Sequence, residues 1–329
     1  MSVKPTIYTS VSELLEHRRD PTKWAYKYIA KRRPLTMEPA LDVGIVEHRL
    51  IANALNQLKT AGHAEPFTPS EVADWPKYAT MQLLIEWEKR HFQADQKAIN
   101  QAVAVATRLG WFFTSPLPFT KVHEVEWGCS TEFDFSFGDS DRDLVVVLRG
   151  TLDSLVEDYV EVLRHMQFKS TGTRTPDVFL AMQRRTWHES SYGGPGTRYA
   201  KEHGLRGYGG TKLLAISKES LEDRKGIAKG RGVGTWCVDL GISKARVESA
   251  YRDIRLEILR MVEDREHCQS WDPDVKPYYP PVAQNEDACG GMHQNSMCKY
   301  HDVCEGRVAV SDYRVYETFE PNARYAEEE

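Results

Sequence analysis

GTLDSLVEDYVEVLRHMQFKST, residues 150–171, decides how this chain is read. It holds two stretches rich in β-branched and aromatic residues, 143–156 and 159–170, the texture of strands. Successive side chains of a strand face opposite sides. Gln167 and Lys169 therefore share one face, with Phe168 buried behind them. If the two strands pair, Asp153 lies beside Gln167 at one end of a sheet. A carboxylate, a side-chain carbonyl and an ammonium then converge. Phosphodiester hydrolysis uses such a set. Oxygen ligands hold a hard cation such as Mg²⁺, the cation polarises the phosphoryl group and acidifies water, and a lysine orients that water and offsets the growing charge.

Working outward, further strands are expected at 122–127, 131–137 and 211–217, with a hairpin turn at 138–142. A helix over 176–190 tolerates Pro176 in its first turn. On the N-terminal side, helices are expected over 10–33, capped by Ser10 or Ser12, then 42–59 and 77–109, with a loop at 60–76. In 42–59, Val43, Val46, Leu50, Ala54 and Leu58 mark one face. A last amphipathic helix spans 243–266, with Ser243 as its cap. Residues 268–306 are rich in Cys, Pro and His and read as irregular. The order implies an α/β fold: a mixed sheet flanked by helices, a helical N-terminal part over 7–110 and a Cys-rich C-terminal extension.

The order G-x-x-D (Gly150–Asp153), then a strand ending in Gln167-Phe168-Lys169-Ser170, resembles the nuclease motif of the PD-(D/E)XK superfamily. Gly44-Ile45-Val46-Glu47-His48 is similar to the G-x-x-x-H motif of its RecB-type exonuclease branch, and Gln183-Arg184-Arg185-Thr186-Trp187 to that branch's Q-x-x-x-Y motif, with Trp for Tyr. A cysteine cluster follows, as in the iron–sulfur members. Each motif alone is weak; their order gives the resemblance its weight. It implies a restriction-endonuclease-like fold and a single nuclease-like domain over 1–310, with the catalytic core at 120–220, a C-terminal helix and Cys cluster at 243–306 and a tail at 311–329. It further implies a Mg²⁺- or Mn²⁺-dependent deoxyribonuclease, an exonuclease on DNA ends or single strands, in recombination, repair or phage DNA processing, with a helicase or recombination protein as partner. His48, Asp153 and Gln167 are the implied metal ligands, Lys169 the catalytic lysine, and Gln183 the residue orienting DNA or that lysine.

Two positions depart from the pattern. Gln167 stands where the family has an acid, which removes one negative charge from the site. Glu161, upstream, and Glu126, on the preceding strand, are candidate replacements, and each reads equally well as an ordinary surface residue. Cys289, Cys298 and Cys304 are spaced C-x8-C-x5-C, and only the second interval matches the family tail. Asp20 stands where the N-terminal cysteine would be, leaving Cys268 as the candidate fourth ligand. A [4Fe–4S] cluster on these four thiolates, structural zinc with His293 or His301 substituting, and plain reduced thiols all remain open. Cys129 and Cys237 read as ordinary buried thiols.

The chain has 329 residues, 41% of them hydrophobic, and a net charge of −5. That balance argues weakly against a nucleic-acid binder. Its distribution softens the point: Arg18 to Arg33 carries seven bases against Asp20, interleaved with Trp24, Tyr26 and Tyr28, and a second basic run spans 224–231. A solvated helix face is the commoner meaning of such runs; Lys23, Trp24, Lys27, Trp187 and Tyr192 are the candidate DNA contacts. The glycine-rich stretches 190–210 and 226–234 lack a phosphate-loop pattern and read as a strand-to-strand connection and a mobile basic loop. No stretch approaches the ~20 apolar residues of a membrane span, and no secretory h-region is present, so a cytoplasmic protein is expected. Two competing functions stay open: a catalytically attenuated DNA-binding module of the same fold, favoured by Gln167, and a cysteine-cluster scaffold for a protein partner.

Overall fold

The computed structural model describes residues 4–35, 38–136, 143–172, 176–184, 187, 191–219, 234–241, 243–275, 280–282, 300–304, 307–309, 312 and 316–318. In chain order the elements are β1 (Thr6–Ser10), α1 (Val11–Arg19), α2 (Pro21–Trp24), a π-helical turn (Ala25–Ile29), β2 (Arg32–Pro34), α3 (Pro39–Ala61), α4 (Pro69–Val72), α5 (Trp75–Lys89), α6 (Gln96–Phe113), β3 (Lys121–Phe135), β4 (Leu144–Glu157), β5 (Leu163–Thr171), α7 (Pro176–Arg184), α8 (Gly193–Glu202), β6 (Tyr208–Ser217), β7 (Thr235–Asp239), α9 (Lys244–His267), a 3₁₀ turn (Cys268–Ser270), α10 (His301–Cys304) and β8 (Tyr316–Thr318). The chain's contacts group into two compact units. One comprises Met1–Thr36, Ser130–Gly150 and Glu248–Glu329; the other comprises Met37–Cys129 and Thr151–Val247.

In the first unit, the helix expected over 10–33 is interrupted. Ser10 caps α1, its hydroxyl accepting from the Glu13 amide at 3.2 Å. Asp20 leaves helical geometry (φ −155°, ψ 87°) and caps α2, its carboxylate accepting from the Lys23 amide at 3.0 Å. Pro21 follows at the first helical position, where its missing N–H costs nothing. β1 pairs in parallel with the first part of β4, from Thr6↔Val145 to Ser10↔Arg149. The expected tail contributes β8, antiparallel to β2. A buried charged network ties α1 to α9. His17 lies between Glu257 (2.6 Å) and Asp264 (2.8 Å), and Glu13 accepts from Thr9 (3.0 Å), the Trp24 indole (3.2 Å) and Arg265 (2.5 Å). Burying this much charge is tolerable only because each group has partners.

The second unit is the mixed sheet flanked by helices that the sequence implied. β4 and β5 are antiparallel, β5 and β6 parallel, and β6 and β7 antiparallel; β3 pairs with β4. On one face, Val156, Met166, Phe168, Leu214 and Ile216 pack against α3, α5 and α6. On the other, Leu152, Leu155 and Leu163 pack with Tyr192, Tyr199 and Ala200 at α8, and Leu213 and Ala215 with Phe179 of α7. α3 follows its apolar stripe and ends at Gly62, whose positive φ of 79° suits glycine. Its buried Asp42 accepts from the Trp87 indole at 2.8 Å and from Arg90 at 2.7 Å, fixing α3 to α5.

Several local expectations change. The stretch 77–109 is two helices, because Asp95 caps α6 through the Lys97 and Ala98 amides. The loop at 60–76 holds α4, started by a Thr68–Glu71 capping box. The strands expected at 122–127 and 131–137 are the single strand β3, in which Glu126 adopts φ 49°. The glycine-rich connection at 190–210 contains the helix α8. The turn at 138–142 and the basic run 224–231 lie outside the described residues. Among the described residues, no helix is long and apolar enough to cross a membrane.

Candidate functional site

β5 is held on both sides, and Phe168, fully buried, anchors it to the α3 layer. The β4–β5 register runs Glu157↔Leu163, Val156↔Arg164, Leu155↔His165. That register is not continued beyond Leu155. There the regular ladder gives way to side-chain bonds. Asp153 Oδ2 accepts from the Phe168 amide at 2.9 Å, and the Ser154 hydroxyl donates to the Met166 carbonyl at 3.2 Å. Leu152 and Leu155, three apart, pack in one cluster. In a regular strand they would face opposite ways, so β4 is irregular at Asp153.

α3 brings His48 to this point. Its Nδ1 stands 3.7 Å from Asp153 Oδ1. The preceding residue, Glu47, within the G-x-x-x-H stretch, turns inward from α3. Glu47 is 2% exposed. A Ser170 hydrogen bond reaches its carboxyl, while its Oε1 has no hydrogen-bond partner. Burial pushes the Glu47 carboxyl up to about 7, with the charge of Asp153 adding to the push and Ser170, Lys218 and Lys169 opposing it. A signal was available: Glu47 lies four residues after Val43 and three before Leu50, within the apolar stripe of α3. Lys218, just past β6, is a second cation that the sequence reading missed. It donates to the Ala40 carbonyl at 2.8 Å, and burial lowers its pKa against the pull of Glu47. Gln167 is 5% exposed, and its Oε1 is likewise buried without a partner.

Glu47, His48, Asp153, Lys169 and Lys218 thus lie near one end of β5, with Gln167 two residues before Lys169 on the strand. Hard oxygen donors dominate, and two of them are buried acceptors without a hydrogen bond. That donor chemistry suits Mg²⁺ or Mn²⁺. Among the described residues, no three His, Cys, Asp or Glu side chains are drawn close enough to cage a metal ion. A cation that keeps several waters and takes one or two carboxylates does not need such a cage.

Other expected residues fall elsewhere. Gln183 is half-buried on α7, whose Arg184 donates to the Leu240 carbonyl at 2.8 Å. Trp187 is 3% exposed and Tyr192 is buried, so neither offers a face for stacking on a base. Trp24 is fully buried, its indole spent on Glu13. Lys23 and Lys27 both pair with Glu16, at 2.5 and 2.6 Å. Within the basic run these two lysines thus share one carboxylate of their own unit. Glu161 sits in the β4–β5 turn with φ 60°, six residues (about 20 Å of strand) from Gln167, and Glu126 is exposed on β3 with φ 49°. Cys268, the residue after α9, is buried, and burial with the charge of Asp264 pushes its thiol up to about 11. Cys304 is half-buried, its Sγ 3.8 Å from the Tyr26 hydroxyl. Cys289, Cys298 and His293 lie outside the described residues, as does the side chain of His301. Cys129 is half-buried and Cys237 exposed, not the buried thiols expected.

No family model matches the chain, and no curated protein does. Among solved structures, one described as the crystal structure of SSO0001 is similar at 12% identity with a TM-score of 0.24, over 65% of this chain and 86% of that one.

Proposed function

We propose that this chain is a Mg²⁺- or Mn²⁺-dependent deoxyribonuclease with a restriction-endonuclease-like core of the PD-(D/E)XK type, nearest the RecB-type exonucleases, acting on DNA ends or single strands. The observation that carries this reading is the meeting of Asp153 with His48 at 3.7 Å, at the end of a β4–β5 pair that also carries Gln167 and Lys169. Asp153, His48 and the Gln167 carbonyl would hold the metal. When bound, it supplies Lewis-acid polarisation of the phosphodiester and acidifies water.

The rest falls to the chain itself. The Phe168 amide fixes the Asp153 carboxylate, so its second oxygen stays turned toward His48. Lys169 orients the attacking water and offsets the charge that grows on the phosphoryl oxygens. Gln183 orients the DNA or the lysine. Cys268 and Cys304 belong to the first unit, and with Cys289 and Cys298 they would ligate a [4Fe–4S] cluster. A thiol held near 11 becomes a ligand only when a metal compensates its charge. DNA is the partner, together with a helicase or recombination protein.

Gln167 also favours a second reading, a DNA-binding module whose site no longer cuts. Cleavage of end-labelled single- and double-stranded DNA with Mg²⁺, Mn²⁺ or EDTA separates the two. The nuclease reading expects metal-dependent degradation that Asp153→Ala abolishes. DNA binding without cleavage under any metal would leave the attenuated module.

A further inference from the structure

We infer that Lys218, which no motif announces, binds a phosphate of the DNA strand where that strand crosses the ends of β5 and β6. The inference rests on the nuclease reading and deepens it, naming a substrate contact away from the point of cleavage. β5 and β6 are parallel neighbours, with Thr171 opposite Ser217 at their carboxyl ends. Ligands of open α/β sheets settle outside that edge. Lys218 is the first residue beyond β6. Its amide donates to the Thr171 carbonyl at 2.8 Å, which fixes its backbone to the end of β5, two residues past Lys169.

The side chain is fixed as well. Leu214 and Ile216 face the layer of α3, α5 and α6. Lys218 shares their parity, and its ammonium donates to the Ala40 carbonyl of α3 at 2.8 Å. His48, eight residues further along the same helix, meets Asp153 at 3.7 Å. Eight residues advance a helix by about 12 Å. That is the span of three to four nucleotides of a duplex strand at about 3.4 Å each. Lys218 thus stands along α3 from the His48–Asp153 pair at a distance that suits a phosphate flanking the one under attack.

The arginine and lysine of α3 itself are spent on carboxylates: Arg49 pairs with Glu86 at 3.0 Å and Lys59 with Glu124 at 2.6 Å. Lys218 forms no ion pair among the described residues. The charge of Glu47 acts on it without closing to one, and burial lowers its pKa. An ammonium carries three donors, and Ala40 takes one. A partly buried cation without a counter-ion is costly, and a phosphate oxygen supplies both the charge and the acceptor. A purely structural Lys218 would need only its bond to Ala40, which a neutral amide donor can also make.

The test reads DNA binding rather than cleavage. Fluorescence anisotropy follows labelled single-stranded and duplex DNA as the full chain is titrated in EDTA over a series of salt concentrations. The proteins are wild type, Lys218→Gln and Lys218→Arg, each checked for folding by circular dichroism. Lys218→Gln is expected to weaken binding by about fivefold at about 0.1 M salt and to flatten the slope of log affinity against log salt by about one. Lys218→Arg is expected to keep both. Wild-type affinity and slope in Lys218→Gln would overturn the Lys218 assignment, and Mn²⁺-dependent cleavage by the wild type would then leave the nuclease reading standing. Equal losses in Lys218→Gln and Lys218→Arg would also overturn it, since the shape of the side chain rather than its charge would be at work. A wild type that neither binds nor cleaves DNA would remove the nuclease reading and this inference together.

Discussion

Glu47→Gln should make the metal-free protein more stable at neutral pH than at acid pH, relative to wild type. Glu47 rises from an ordinary 4.5 to about 7 in the folded chain because burial penalises its charge. Below about pH 4.5 the carboxyl is protonated in both folded and unfolded chains, and burial of its charge costs nothing. Between 4.5 and 7 the unfolded chain releases the proton first, so folding must take one up and stability falls as pH rises. Above about 7 the cost is complete. The rise from 4.5 to about 7 makes the full cost about 3.5 kcal/mol, of which about 3 kcal/mol develops above pH 4.5. Glutamine has nearly the same shape and no charge, so the variant lacks this slope. The assay is urea unfolding of both proteins in EDTA at half-unit steps from pH 4.5 to 8. Their stability difference should grow by about 3 kcal/mol across that window, in favour of the variant. A difference that stays flat would mean that Glu47 is solvated, and the description of the site would be wrong.

Other consequences follow from packing and burial. A Cβ at Gly196 would stand 2.5 Å from the Tyr208 ring, whereas one at Gly193 meets nothing within 4 Å. Gly196→Ala should therefore lower the urea midpoint by an amount worth about 1–3 kcal/mol, and Gly193→Ala should not. His17→Leu leaves Glu257 buried without its ring partner and should cost about 3–5 kcal/mol in the same assay, with His17→Leu/Glu257→Leu recovering most of it. Cys268, its thiol near 11, should resist iodoacetamide at pH 8 in the metal-free protein and react once urea opens the fold, as mass spectrometry of the labelled peptide would read.

Much of the second unit was legible because its patterns are regular. The stripe of Val43, Val46, Leu50, Ala54 and Leu58 specified α3, and alternation around Phe168 specified β5. Asp153 and His48 were both named through the resemblance, and they stand 3.7 Å apart. Glu47 was overlooked because a lone acid in a helix reads as solvent-facing unless its place in the stripe is counted. The partner of Lys23 and Lys27, Glu16, lies just upstream of the basic run, where a count of the run's own charges does not reach it. Asp20-Pro21 was a legible helix break that the run of charges obscured. α8 was hidden because glycine disfavours helices. Tertiary packing overrides that preference, and Gly196 is small because the Tyr208 ring leaves no room for more. The short strands β2 and β8 are specified by their pairing across the chain, which no local pattern announces.

The central claim is that Lys169, at the end of β5, serves phosphodiester cleavage. Its most direct test is single-turnover cleavage of end-labelled DNA in Mn²⁺ by wild type and Lys169→Ala, with DNA affinity measured on the same samples. A fall of about 10²–10³-fold in rate with affinity retained is the expected result. Cleavage undiminished in Lys169→Ala would contradict the account.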